Sequence, residues 1–224
     1  MRTEEIIGKV DRYGAHNYHP LPIVLKEGRG VTVTDVQGKR YVDCLAAYSA
    51  MNLGHGHPRI LAAATRQLSR VAVTSRAFHH DVMGEFLELA CQTFGQDRAL
   101  PMNSGAEAVE TAVKLARKWA YEVKGVAPDQ AEIIVFENNF HGRTTTVISF
   151  SSEPEYKRNF GPLTPGFKIV PYGDLRAVEA AISPRTAAVL MEPIQGEAGI
   201  LIPPAGFLKA LQKRCREERV LLML

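Results

Sequence analysis

An α/β fold with a mainly parallel sheet, preceded by a small antiparallel meander, is what the sequence predicts. Three observations carry that expectation. Short apolar runs recur near residues 100, 134, 169, 189 and 222, and helical periodicity fills most of the intervals. The runs are nearly continuous in apolar residues, as strands covered on both faces are. Ahead of them, residues 23–26, 31–35 and 40–44 read as three short strands punctuated by Gly28, Gly30 and Gly38.

Taken in order, residues 3–13 form a short polar helix. Residues 14–22, Gly-Ala-His-Asn-Tyr-His-Pro-Leu-Pro, lack any period and are rich in rings and hydrogen-bonding groups, so they form a loop rather than core. After the meander, a mixed stretch leads into Gly54-His55-Gly56-His57-Pro58. Two histidines between glycines with no third ligand nearby read as a turn, not a metal site. Pro58 starts a helix to about residue 73. A second covers about 80–94, with Val82, Met83, Phe86, Leu87, Ala90 and Phe94 on one face expected as core.

A third helix begins at Asn103-Ser104-Gly105-Ala106-Glu107 and runs to about residue 124, with Val109, Val113, Ala116, Ala120 and Val123 at helical spacing. Ser104 with Glu107 three residues on is a capping box, and Glu110 with Lys114 adds an i,i+4 pair. Beyond it come a strand at 132–137, a strand at 167–171, a helix capped by Asp174 to 182, a strand at 187–191, a helix over 206–218 and a strand at 220–224. The expected division is an N-terminal segment, 1–57, and a sheet-bearing domain, 58–224.

Composition excludes several functions. A hydrophobic share of 46% and a charged share of 23% belong to an ordinary globular protein. The net charge of +3, without a dense Lys/Arg run, gives no ground for nucleic-acid binding. No apolar stretch is long enough to cross a bilayer. The first ten residues carry Glu4 and Glu5 and no apolar core, unlike a secretory signal. Cys44, Cys91 and Cys215 lie far apart without a C-x-x-C, which suits a reducing compartment and a cytoplasmic protein.

Ligands of open α/β sheets bind at the carboxyl ends of strands. Three polar loops follow apolar runs in this way. The first, 103–107, offers the N–H groups of a helix start, which suit phosphate. The second, 138–143, offers an aromatic ring, an imidazole and a guanidinium, fit for a flat ring and a carboxylate. The third, 192–197, places Glu192 and Glu197 around a glycine. Singly, each has a plain alternative: a well-capped helix, a core phenylalanine, a surface ion pair, a capped turn. Together they describe a site for a flat phosphorylated cofactor and an amino-acid-like substrate.

At this point the chain resembles a known family, the class III (ω-amino acid) pyridoxal-phosphate-dependent aminotransferases, and within it the ornithine branch. The carriers are GAHNYHPLP (14–22), AAYSAMNLGHGHP (46–58), TSRAF (74–78), PMNSGAEAVETAVKLARKW (101–119), NFHGRT (139–144) and EPIQGEAG (192–199). NSGAE, HGRT and EPIQGE are similar to the class as a whole, while GAHNYHPLP and TSRAF are particular to the ornithine branch.

The resemblance implies the fold type I large domain of this family, incomplete here, and pyridoxal 5'-phosphate as cofactor. It implies Ser104, Gly105 and Ala106 at the cofactor phosphate, Phe140 on the pyridine ring with His141 beside it, and Glu192 as the catalytic carboxylate near the phenolic oxygen. Tyr18 and Arg143 would bind the substrate α-carboxylate, Tyr48 would line the pocket, and Glu197 would engage a distant arginine. The implied reaction moves the δ-amino group of ornithine to 2-oxoglutarate, in a full-length protein that assembles as a homodimer or higher homo-oligomer. Acetylornithine or γ-aminobutyrate as amino donor, or a non-catalytic truncated product, are the alternatives.

The family's cofactor lysine, the aspartate facing the pyridine nitrogen and that arginine have no counterpart in these 224 residues. The chain therefore reads as the N-terminal part of such an enzyme and is expected to be inactive by itself.

Overall fold

The computed structural model describes residues 2–224, which divide into two compact units, one ending at Gln96 and the other spanning Asp97–Leu224.

In the first unit, α1 (Thr3–Tyr13) opens with the Glu5 carboxylate accepting from the Arg2 N–H at 3.2 Å. Strands β1 (Leu25–Arg29), β2 (Thr32–Asp35) and β3 (Arg40–Val42) form the expected antiparallel meander, in the order β1-β2-β3. The turn from β2 to β3 is tied by Asp35, whose Oδ1 accepts from the N–H groups of Gln37 and Lys39, each at 2.9 Å. A single turn, α2 (Ala46–Ser49), follows. Its four residues all have φ between 49° and 67°, the left-handed region. Two helices, α3 (Pro58–Leu68) and α4 (Met83–Phe94), complete the unit.

The apolar stripe of α4 is not core. Phe86 is 53% and Phe94 74% exposed, Val82 is exposed as well, and Met83, Leu87 and Ala90 are half-buried. Periodicity reveals which face of a helix is apolar, not whether the chain itself supplies its cover.

The second unit is built on a parallel sheet in the order β5-β4-β6-β7, from β4 (Glu132–Phe136), β5 (Phe167–Val170), β6 (Thr186–Leu190) and β7 (Leu221–Met223). Side chains alternate across a strand, so each apolar strand feeds two cores. Ile133, Val135, Ala188 and Leu190 pack with Val113 and Ala116 of α5 (Gly105–Trp119). Ile134, Phe136 and Val189 pack with Val178 of α7 (Leu175–Ala181) and Leu211 and Cys215 of α8 (Phe207–Glu217). A short helix, α6 (Thr145–Ser149), lies between β4 and β5 in sequence. At the amino ends of the strands, the Glu132 carboxylate gathers Lys168 at 2.7 Å and Arg185 at 2.6 Å.

Two expectations need correction. The run at 100–102 is not a strand: Pro101 has no N–H to donate to a ladder, and Leu100 is exposed. The third helix is α-helical only to Trp119. From Ala120 to Lys124 it widens into a π turn closed by Gly125 at φ 83°. Lys124 Nζ there donates to the carbonyls of Thr186, at 2.7 Å, and Glu218, at 3.3 Å.

Candidate active site

In the second unit, the start of α5 is set by its cap. Ser104 Oγ accepts from the Glu107 N–H at 3.2 Å. Glu107 closes the box one residue earlier than the motif prescribes, accepting from the Asn103 N–H at 2.8 Å. A Cβ built on Gly105 would meet nothing within 4 Å, so the first turn is open on that side.

The loop after β4 is seated on that turn. Gly142, at φ 121°, lies so close to Ala106 that an added Cβ would stand 2.9 Å from the Ala106 Cβ. Thr144 Oγ1 donates to Glu110 Oε1 of α5 at 2.6 Å, reinforcing the contact. At the loop's other end, buried Asn139 donates from Nδ2 to the carbonyls of Phe136, at 2.7 Å, and Phe150, at 2.9 Å.

The loop after β6 joins them. Glu192 Oε1 accepts from the Phe140 N–H at 2.9 Å. Burial pushes the Glu192 carboxyl above its ordinary range; the N–H groups of Phe140 and Gly196 oppose the rise, and the nearby Glu197 charge adds to it. Gln195 anchors the segment by donating to the Glu137 carbonyl at 2.8 Å, while its backbone pairs with Leu201 in both directions at 3.0 Å. From the end of β5, Tyr172 OH donates to the Glu192 carbonyl at 3.1 Å.

The α5 start and both loops are thus linked by direct contacts at one end of the sheet. A cavity of about 330 Å³ there is lined by Asn139, Phe140, Tyr156 and Glu197, among others. Arg143 lies with its guanidinium 5.6 Å from the centre of the Tyr156 ring, which meets Phe140 edge-on at 6.5 Å. Among the described residues Arg143 has no carboxylate partner, so its fork is available to an incoming acid. Tyr156 escapes a motif-based reading because it lies outside the three loops. The short Ser-Glu-Pro-Glu-Tyr stretch that carries it has turn character and no period.

His141 turns towards the core, its ring 5.8 Å from that of Phe150 and its Nε2 buried without a partner. Burial lowers its pKa from 6.5 to about 4. The folded state therefore resists a proton that the unfolded chain accepts. Stability is unaffected at neutral pH, falls as pH drops through 6.5, and levels off below about 4, for a total of on the order of 3 kcal/mol. His141→Phe is expected to flatten this acid limb in unfolding experiments between pH 7 and 4.

In the first unit, Tyr18 and Tyr48 are brought together, hydroxyl to hydroxyl, although thirty residues separate them in sequence. Both are more than half exposed.

Known proteins resemble the chain along nearly its whole length. The family described as Aminotransferase class-III matches residues 13–224. Ornithine aminotransferase of Geobacillus sp. (strain WCH70) is 59% identical over 98% of the chain, and that of Bacillus subtilis (strain 168) is 57% identical over the same share. The chain spans 55% of each, about half the length of the curated relatives it matches. Among solved structures, the ornithine aminotransferase of Toxoplasma gondii ME49 is 45% identical with a TM-score of 0.97, over 99% of this chain and 53% of that one. An acetylornithine aminotransferase from Elizabethkingia anophelis is 54% identical with a TM-score of 0.85, over 98% of this chain and 54% of that one. With a family match over nearly the whole chain, the protein belongs to the class III aminotransferases.

Proposed function

We propose that the protein serves a pyridoxal 5'-phosphate-dependent aminotransferase that takes the δ-amino group of L-ornithine and passes it to 2-oxoglutarate. The observation that carries this reading is the junction of Gly142 on Ala106 and Phe140 on Glu192. It sets an open helix start, an aromatic ring and a half-buried carboxylate at one end of the sheet. The residues fit the cofactor: the open space over Gly105 leaves room for a phosphate, and Phe140 lines the cavity beside the loop after β4.

When bound, the cofactor supplies an electron sink for the carbon that bears the amine. Ser104, Gly105 and Ala106 hold the phosphate through the first-turn N–H groups and the serine hydroxyl. Phe140 would offer its ring to the pyridine ring, and His141, half-buried with its Nε2 inside, would fix the residues on either side of it. Glu192, with its carboxyl raised, can hold a proton near the cofactor's phenolic oxygen.

Arg143 would take the substrate α-carboxylate, which leaves the distal amine free to react; the likeness to the family assigns Tyr18 to the same carboxylate and Tyr48 to the substrate as well. Glu197 pairs with an arginine of the longer family fold, masking or releasing it between the two half-reactions. The uncovered stripe of α4 supports a homodimer, and three free cysteines suit a cytoplasmic location.

Steady-state assay of the full-length protein with ornithine, acetylornithine and γ-aminobutyrate tests the assignment. Ornithine is expected to give the highest kcat/KM, with glutamate as the second product. A higher value for acetylornithine would transfer the assignment to that substrate. Tyr18→Ile is expected to weaken ornithine by about tenfold, the worth of one hydrogen bond to a charged group, and to favour simpler ω-amines. Unchanged ornithine kinetics in this variant would remove Tyr18 from the site.

A further inference from the structure

The left-handed turn α2 demands an explanation. Ala46, Ala47, Tyr48 and Ser49 have φ of 50°, 49°, 54° and 67°, and none is glycine. Such residues cost about 1–2 kcal/mol each in this region, and a run of them persists only where the surroundings impose it.

One carboxylate supplies much of that constraint. Asp43 Oδ1 accepts from the N–H groups of Leu45, at 3.0 Å, and Ala46, at 2.8 Å, the two residues that open the turn. Its other oxygen, Oδ2, accepts from His55 Nε2 at 2.7 Å. His55 is itself immobilised. Its N–H and carbonyl both pair with Gly30 at 2.9 Å. Its ring covers Gly28 so closely that an added Cβ would meet the ring carbon at 2.7 Å. A rigid histidine at the edge of the meander thus holds an aspartate, and the aspartate holds the turn whose third residue, Tyr48, meets Tyr18 hydroxyl to hydroxyl.

We propose that Asp43 and His55 are positioning residues that fix the left-handed turn so that Tyr48 stands against Tyr18, and thereby set the fit of the substrate's α-carboxylate end. This rests on the proposed role of Tyr18 and Tyr48 in the substrate pocket. Neither Asp43 nor His55 needs to touch substrate or cofactor. Their contribution is to remove alternative turn conformations, in which the backbone would relax to negative φ and carry Tyr48 away from Tyr18.

The test is a double-mutant cycle in the full-length enzyme, read as kcat and KM for each substrate and as thermal stability. His55→Leu is expected to raise the ornithine KM about tenfold, with kcat and the 2-oxoglutarate KM within about twofold of the parent. His55→Gln keeps an N–H donor of similar reach and is expected to recover most of the loss. In a Tyr48→Ala background the effect of His55→Leu on ornithine is expected to vanish, because the pair acts through Tyr48.

Full additivity of the two substitutions, or a parallel loss for both substrates that Gln does not rescue, would overturn the proposal and leave His55 a purely structural residue. If His55→Leu does not fold, Asp43→Asn takes its place in the cycle under the same criteria of coupling to Tyr48 and selectivity for ornithine. Should Tyr48→Ala alone leave ornithine KM unchanged while His55→Leu raises it, positioning through Tyr48 is refuted. If Tyr18→Ile and Tyr48→Ala are both silent, the reading of the substrate pocket fails instead.

Discussion

Gly142→Ala is expected to destabilise the second unit by on the order of 3 kcal/mol and to weaken cofactor binding with it. Two costs combine. At φ 121° a residue with a Cβ sits in a region that costs about 1–3 kcal/mol. The new methyl would also stand 2.9 Å from the Ala106 Cβ, so the loop after β4 must lift away from the first turn of α5. Overpacking of this kind costs about 1–3 kcal/mol. Because Phe140 precedes Gly142 by two residues, the lift also strains its hydrogen bond to Glu192. Denaturant unfolding and cofactor titration of the full-length protein measure both effects. Adding Ala106→Gly is expected to return the steric part and leave the conformational part. No recovery in the double variant would show that the contact with Ala106 is not what limits the loop.

Arg143→Ala is expected to lower kcat/KM for ornithine by roughly a hundredfold or more while hardly changing stability. A guanidinium fork gives a carboxylate two charge-assisted hydrogen bonds of about 1.5–3 kcal/mol each, and each 1.4 kcal/mol is about a factor of ten. The structural role of the side chain is small: it is exposed and rests on the Tyr156 ring, a contact worth about 0.5–1 kcal/mol. Arg143→Lys is expected to restore charge but not the fork, and so to recover only part of the rate. A large stability loss with unchanged ornithine kinetics would make Arg143 structural and vacate the proposed carboxylate site.

What was legible in the sequence is what local chemistry determines. Ser104, Gly105 and Glu107 announce a helix start because the cap is satisfied within five residues, and the structure places that start at Gly105. Asp174 announces α7 in the same way, its carboxylate accepting from the Ala177 N–H at 3.0 Å. The runs at 132–136 and 186–190 became the two inner parallel strands because both of their faces are covered, a property their lack of alternation betrays, while β5 and β7 flank them as half-buried edges.

What escaped depends on partners distant in sequence. Leu100 to Met102 has the composition of a strand, but no neighbouring strand takes its hydrogen bonds. The stripe on α4 has the period of a core face, but the described residues do not bury it. Gly142 looks like any turn glycine until Ala106 is seen beneath it. Tyr156 acquires its place only when Phe140 and Arg143 converge on its ring. The left-handed turn at Ala46–Ser49 has no signature at all, since alanine, tyrosine and serine do not favour that region by themselves.

The most direct test of the account is the affinity of the full-length Gly105→Asp variant for pyridoxal phosphate, compared with pyridoxal lacking the phosphate. The space above Gly105 is open and its φ is not positive, so an aspartate fits without strain. Its charge even suits a helix N-terminus, and thermal stability is expected to hold or rise slightly. That same charge occupies the proposed phosphate cradle. At about 5 Å and an effective dielectric of roughly 20, the repulsion is on the order of 3 kcal/mol, about a hundredfold in affinity. The account predicts that loss for pyridoxal phosphate with little change for pyridoxal. Undiminished binding of the phosphorylated form by a stably folded variant would contradict it.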